Sequence, residues 1–138
     1  MDIASYIDRL ASAGVYHFTT EKAAAALGSS PIAVRAAIRR SRAKGRLATP
    51  FRGFHVIVPP EYRTLACLPA EQFLPQLMEH LGLVYYAGLL SAARLHGAAH
   101  QAPMVFQAVV RENRQDIECG SVRVQFVART RNSHAQAA

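Results

Sequence analysis

The sequence predicts an α+β chain in two parts, a mostly helical front that closes with a hairpin and a back in which helix precedes a small antiparallel sheet. Three observations carry that prediction. Apolar residues recur at helical spacing, bracketed by capping residues, through residue 45. Immediately after Gly45 the period changes to extended runs around a turn rich in Pro and Gly. Beyond Pro69 a second set of helical and extended runs brings enough apolar residues for a core of its own. The boundaries read as a first domain at 1–62, a linker at 63–69 and a second domain at 70–138.

Residues 3–13 set Ile3, Tyr6, Ile7 and Leu10 on one helix face, with Gly14 as the stop. Phe18 then precedes a short alanine-rich helix, Thr20 to Leu27, which either Thr19 or Thr20 can cap and Gly28 can end. Alanines on its surface let a neighbouring helix approach closely. After Gly28-Ser29-Ser30 comes the most informative stretch. Ser30 suits an N-cap, Pro31 suits the first helical position, and Gly45 suits the end. Between them Val34, Ala37, Ile38 and Ser41 share one side, while Arg35, Arg39, Arg42 and Arg46 form a stripe along another.

Residues 35–46 carry six basic side chains, and no carboxylate lies between Glu21 and Glu61 to balance them. A solvated helix face normally carries both signs, so a one-signed row points to phosphate. The formal charge of +7 is unevenly shared: ten Lys/Arg against four Asp/Glu through Arg63, six against five afterwards. A positive field confined to one half implies a polyanion partner for that half.

Leu47-Ala48-Thr49 and Phe54 to Val58 read as two strands around a Pro50-Phe51-Arg52-Gly53 turn. Two helices joined by a short turn and followed by a hairpin are the layout of a winged helix-turn-helix, whose second helix is offered to the DNA major groove. In the back half, Ala70 to Leu81 reads as a helix with Pro75 in its first turns, and Leu83 to Gly97 as a buried helix. Met104 to Val110 and Ser121 to Ala128 are extended runs, with a short strand at Ile117-Glu118-Cys119 between them, and the tail from Arg129 reads as loose.

With 51% hydrophobic residues the 138-residue chain is not a disordered polyelectrolyte. Cys67 and Cys119 are far apart and form neither a disulfide framework nor a metal knuckle, so both read as buried thiols. The start, Met1-Asp2-Ile3, lacks a signal pattern and no stretch is long enough to span a bilayer, so the expected place is the cytoplasm. Asp116 and Glu118 faintly resemble a nuclease pair, but the lysine that chemistry needs does not follow. His96 and His100 are separated by a helix-ending Gly97 and lack a third ligand. Tyr85 and Tyr86 lie in an apolar run and read as core, and Ser91 has no neighbouring base. No catalytic residue, metal site or cofactor is assigned, and the chain reads as a non-enzyme.

The front, from Ser29 through Leu47 with the wing Arg52-Gly53-Phe54-His55-Val56, resembles the N-terminal winged helix of AbiEi-type antitoxins of bacterial type IV toxin–antitoxin systems. The more specific likeness is Tyr85-Tyr86-Ala87-Gly88-Leu89-Leu90-Ser91-Ala92-Ala93-Arg94-Leu95-His96-Gly97-Ala98, followed by Pro103 and the run Phe106 to Val110. It is similar to the opening of that family's second domain. The resemblance implies a repressor that binds inverted repeats upstream of its own operon and counters a nucleotidyltransferase-like toxin, with or without a direct complex. Family members usually continue well past residues 121–128, so the chain reads as truncated or as a short variant.

For base contact the expected residues are Ser29, Ser30, Ile32, Ala33, Arg35 and Ala36; for phosphate they are Arg39, Arg40, Arg42, Lys44, Arg46 and Arg52. The alternative is a protein-interaction module at residues 70–128 whose basic front only tethers it to nucleic acid.

Overall fold

A computed structural model describes residues 1–83, 90–91 and 104–128. The chain divides into two compact units, Met1–Leu68 and Pro69–Ala138.

The first unit runs α1 (Ile3–Ser12), β1 (His17–Thr19), α2 (Thr20–Leu27), α3 (Pro31–Ala43), β2 (Leu47–Phe51) and β3 (Phe54–Ile57). Each helix begins on a side chain that accepts an otherwise unpaired amide hydrogen. The Ser5 amide donates to Asp2 Oδ1 at 2.9 Å, the Lys22 amide to Thr19 Oγ1 at 3.2 Å and the Ala33 amide to Ser30 Oγ at 3.2 Å. Of the two threonines able to cap α2, Thr19 holds that place. Gly28 ends α2 at φ 63°, a left-handed conformation that costs a side-chain-bearing residue more than glycine. This sharp exit leaves room for only Ser29 and Ser30 before α3.

The three helices close on one core made of Tyr6, Ile7, Phe18, Ala23, Val34, Ile38, Leu47 and Ile57. Fully burying a side chain of isoleucine size contributes roughly 1.5–3 kcal/mol, so Ile7 and Ile38 anchor α1 and α3 firmly. Ala23, with no exposed surface, is where α2 meets its neighbours, in keeping with the alanine-rich composition.

The sheet of this unit has the order β1-β3-β2, antiparallel throughout. Two features differ from the sequence reading. That reading has no strand at His17–Thr19; the segment pairs with Phe54–Val56 and makes β3 central, buried at every position. Pro50 and Phe51 belong to β2 and not to the turn, which is Arg52-Gly53. Proline is tolerated there because β2 is an edge strand and the register shifts between Ala48 and Phe51, so no ladder donor is needed.

The second unit starts with a 3-10 turn at Ala70–Gln72 followed by α4 (Leu74–Leu81). The sequence reading runs one helix over both. Pro75 in the first turn of α4 lacks the amide that would bond back to residue 71, so the helix begins afresh at Leu74. Cys67 and Leu68, read as linker, are fully buried, and Cys67 and Cys119 are both buried and in no disulfide, as read.

The α+β reading holds for this unit, but its sheet is not purely antiparallel. The strands β4 (Leu90–Ser91), β5 (Met104–Val110), β6 (Ile117–Cys119) and β7 (Val122–Ala128) form the order β4-β5-β7-β6, and β5 runs parallel to β7 from Met104↔Val122 to Val110↔Ala128. The sequence reading expects a small antiparallel sheet. The connection 111–116 is long enough to step across one strand, which places β6 at the edge and lets the tight Gly120-Ser121 turn fold β7 back between β6 and β5. One face of β5 and β7 is apolar, with Phe106, Ala108, Val110, Val122, Val124 and Phe126 buried. The other carries Gln107 and Gln125, half-buried, side by side and hydrogen-bonded at 3.2 Å, together with the buried Val109, so the polar face expected from the alternation in β7 is mixed in β5.

Leu90 and Ser91 stand within the stretch read as a buried helix, Leu83 to Gly97; their backbones pair with Gln107 and Phe106 instead. The rest of that helix, with Tyr85, Tyr86 and His96, lies outside the described residues, as do His100 and the tail read as loose.

Candidate nucleic-acid interface

Helix α3 has a buried side and a free side. Val34, Ala37, Ile38 and Ser41 are buried, whereas Ser29, Ser30, Ile32, Ala33, Arg35, Arg39, Arg40, Arg42 and Lys44 are exposed and Ala36 is half-buried. The expected base-contact group, Ser29, Ser30, Ile32, Ala33, Arg35 and Ala36, therefore gathers around the N-terminal turns of one helix. The expected phosphate group, Arg39, Arg40, Arg42 and Lys44, follows along its C-terminal turns.

Both serines also have local work. Ser30 Oγ caps the helix, and its hydrogen remains available as a donor. Ser29 Oγ donates to the Leu27 carbonyl at 3.5 Å, a long bond that gives way readily to a better partner. Near the end of α3, Arg40 and Arg42 lie by the negative pole of the helix dipole, which favours their clustering despite mutual repulsion.

Arg46 departs from the row. Lying beyond Gly45, which turns the chain at φ 77°, it follows the backbone away from the helix axis, and its Nη2 meets Asp8 Oδ1 of α1 at 2.7 Å. Its charge is already engaged within the unit. Arg52 is exposed in the β2–β3 turn, apart from α3 in sequence but tied to the same frame: the Thr20 amide donates to the Gly53 carbonyl at 3.1 Å.

Beside the shared core, a residue that the sequence reading passes over ties α2 to the hairpin. His55 of β3 is 5% exposed, and both ring nitrogens are used: Nε2 lies 2.8 Å from Thr20 Oγ1 at the start of α2, and Nδ1 lies 2.9 Å from Thr49 Oγ1 of β2. A neutral imidazole donates through one nitrogen and accepts through the other, and each hydroxyl rotates to match. Burial pushes its pKa down to about 4; the positive charge of Arg42 acts in the same direction and Glu21 opposes both. The ring of Phe18 lies beside it with centroids 5.3 Å apart. The available signal is a histidine inside an otherwise apolar strand, where both faces of the strand are buried.

In the second unit the acidic pair weighed above is split between roles. Glu118 forms an exposed ion pair with Arg123 across β6 and β7, while Asp116 is exposed in the preceding loop. Among the described residues there is no cluster of three or more His, Cys, Asp or Glu suited to a metal ion, and no helix is long and apolar enough to cross a membrane.

Three helices closed by a three-stranded sheet, joined to a second unit built on a four-stranded sheet, define a mixed α+β class of architecture. Residues 86–138 match the family described as AbiEi antitoxin C-terminal domain. The match bears out the likeness read from the Tyr85–Ala98 and Phe106–Val110 runs, and it supports an antitoxin role in a toxin–antitoxin pair. No curated protein and no solved structure matches the chain.

Proposed function

We propose that the chain is a DNA-binding repressor and antitoxin acting in the cytoplasm. Its first unit holds the major groove of double-stranded DNA with α3, and its second counters a nucleotidyltransferase-like toxin. The observation that carries the DNA half is the one-signed row Arg35, Arg39, Arg40, Arg42 and Lys44, exposed along a helix whose opposite side is sealed in the core. Cations presented along one helix neutralise duplex phosphates and release bound counterions on contact. Arg52, exposed on the hairpin turn, touches the flanking backbone in this reading, and an inverted-repeat operator upstream of the chain's own operon follows from the family likeness.

Duplex binding measured over a range of salt concentrations tests this reading. With about five phosphates neutralised, log affinity falls against log salt with a slope of roughly −4 to −5. Failure to bind any duplex, together with co-elution with the product of the neighbouring gene, would favour the interaction-module alternative.

A further inference from the structure

Among the described residues the large hydrophobic side chains left exposed are Met1, at the chain terminus, and Ile32, which is 78% exposed. Ile32 is the second residue of a helix whose core contacts are made by Val34, Ala37 and Ile38. It contributes nothing to that core, and it stands in the turn from which a helix-turn-helix protein contacts base edges.

We infer that Ile32 reads the 5-methyl group of thymine in the operator, with Ala33 beside it and Ala36 one turn on giving the helix close access to the groove. This deepens the DNA-binding reading and rests on it. The major groove presents hydrogen-bonding atoms at every base pair but a single kind of apolar feature, the thymine methyl, and apolar side chains are its natural partners. The surroundings of Ile32 narrow the occupant further. Ser29, Ser30 and Arg35 border it and the row Arg39, Arg40 and Arg42 continues from it, so the apolar tip is embedded in a field that favours a polyanion over an apolar protein surface. Ser30, held as the cap 3.2 Å from the Ala33 amide, keeps its hydroxyl in the same turn as Ile32, so a polar and an apolar contact can fall on adjacent base pairs.

The test begins with a duplex enriched from a random-sequence library on the full chain. Each thymine is then replaced in turn by deoxyuridine, which removes the methyl and leaves base pairing intact. Wild type is expected to lose roughly fourfold in affinity at one or two positions, the value of one buried methyl-sized group. In Ile32→Ala the same replacements are expected to have almost no effect, while Ile32→Val retains the discrimination. Indifference to uracil at every thymine, or a loss that persists undiminished in Ile32→Ala, overturns the methyl reading alone. If no duplex is enriched at all, the DNA-binding reading itself falls and this one with it.

Discussion

The buried His55 makes the stability of the first unit depend on pH in a way that can be worked out in advance. Its folded pKa is about 4, against 6.5 for a free histidine, because burial disfavours the charged ring and the positive charge of Arg42 adds to that effect. Below pH 6.5 the unfolded chain takes up a proton that the folded one refuses, so stability is complete above that value and falls as pH is lowered through the folded pKa. Each tenfold difference in proton affinity between the two states is equivalent to about 1.4 kcal/mol. The loss is therefore on the order of 1–2 kcal/mol between about pH 5.5 and pH 5 and roughly 3 kcal/mol by about pH 4. Urea unfolding at a series of pH values, followed through the amide signals of Phe18 and Val56, isolates the transition of this unit. His55→Gln, which cannot titrate, supplies the baseline to subtract. An imidazole signal for His55 that titrates at 6.5 or above would refute the reasoning, as would a wild-type curve parallel to that of His55→Gln between about pH 7 and 5.

Two further substitutions examine α3 and the arginine beyond its end. Ser30→Ala removes the acceptor of the Ala33 amide and is expected to cost about 1 kcal/mol in urea unfolding; no measurable change would mean that the cap contributes nothing. Asp8→Asn releases Arg46 from an ion pair whose side chains are 34% and 70% exposed, so the expected change in stability is below about 1 kcal/mol. The same variant is expected to steepen the salt dependence of duplex binding by about one unit, and an unchanged slope would show that Arg46 does not reach phosphate.

Local chemistry makes α1, α2 and α3 legible: their caps, stops and core faces are written within a few residues of one another. Ser30-Pro31 at one end of α3 and Gly45 beyond the other bracket a helix whose buried positions, Val34, Ala37, Ile38 and Ser41, are readable from spacing. What escapes is decided at longer range. Three residues at His17–Thr19 are too few to show a period, and they are a strand because Phe54–Val56 pairs with them. The parallel pairing of β5 and β7 depends on which strand the 111–116 connection steps across, a choice that leaves no mark on either strand's own alternation. The site divides the same way. The exposed row on α3 follows from helical periodicity, whereas the capture of Arg46 by Asp8 and the clasp around His55 join residues 38 and 35 positions apart.

The most direct measurement of the central proposal is the salt dependence of binding for wild type and for the double variant Arg39→Ala with Arg42→Ala, on an enriched duplex and on a random one. The account predicts a wild-type slope of roughly −4 to −5 on the enriched duplex, shallower by about two units in the double variant, with affinity falling alike on both duplexes. A wild-type slope near about −1, or one that the double substitution leaves unchanged, would contradict it.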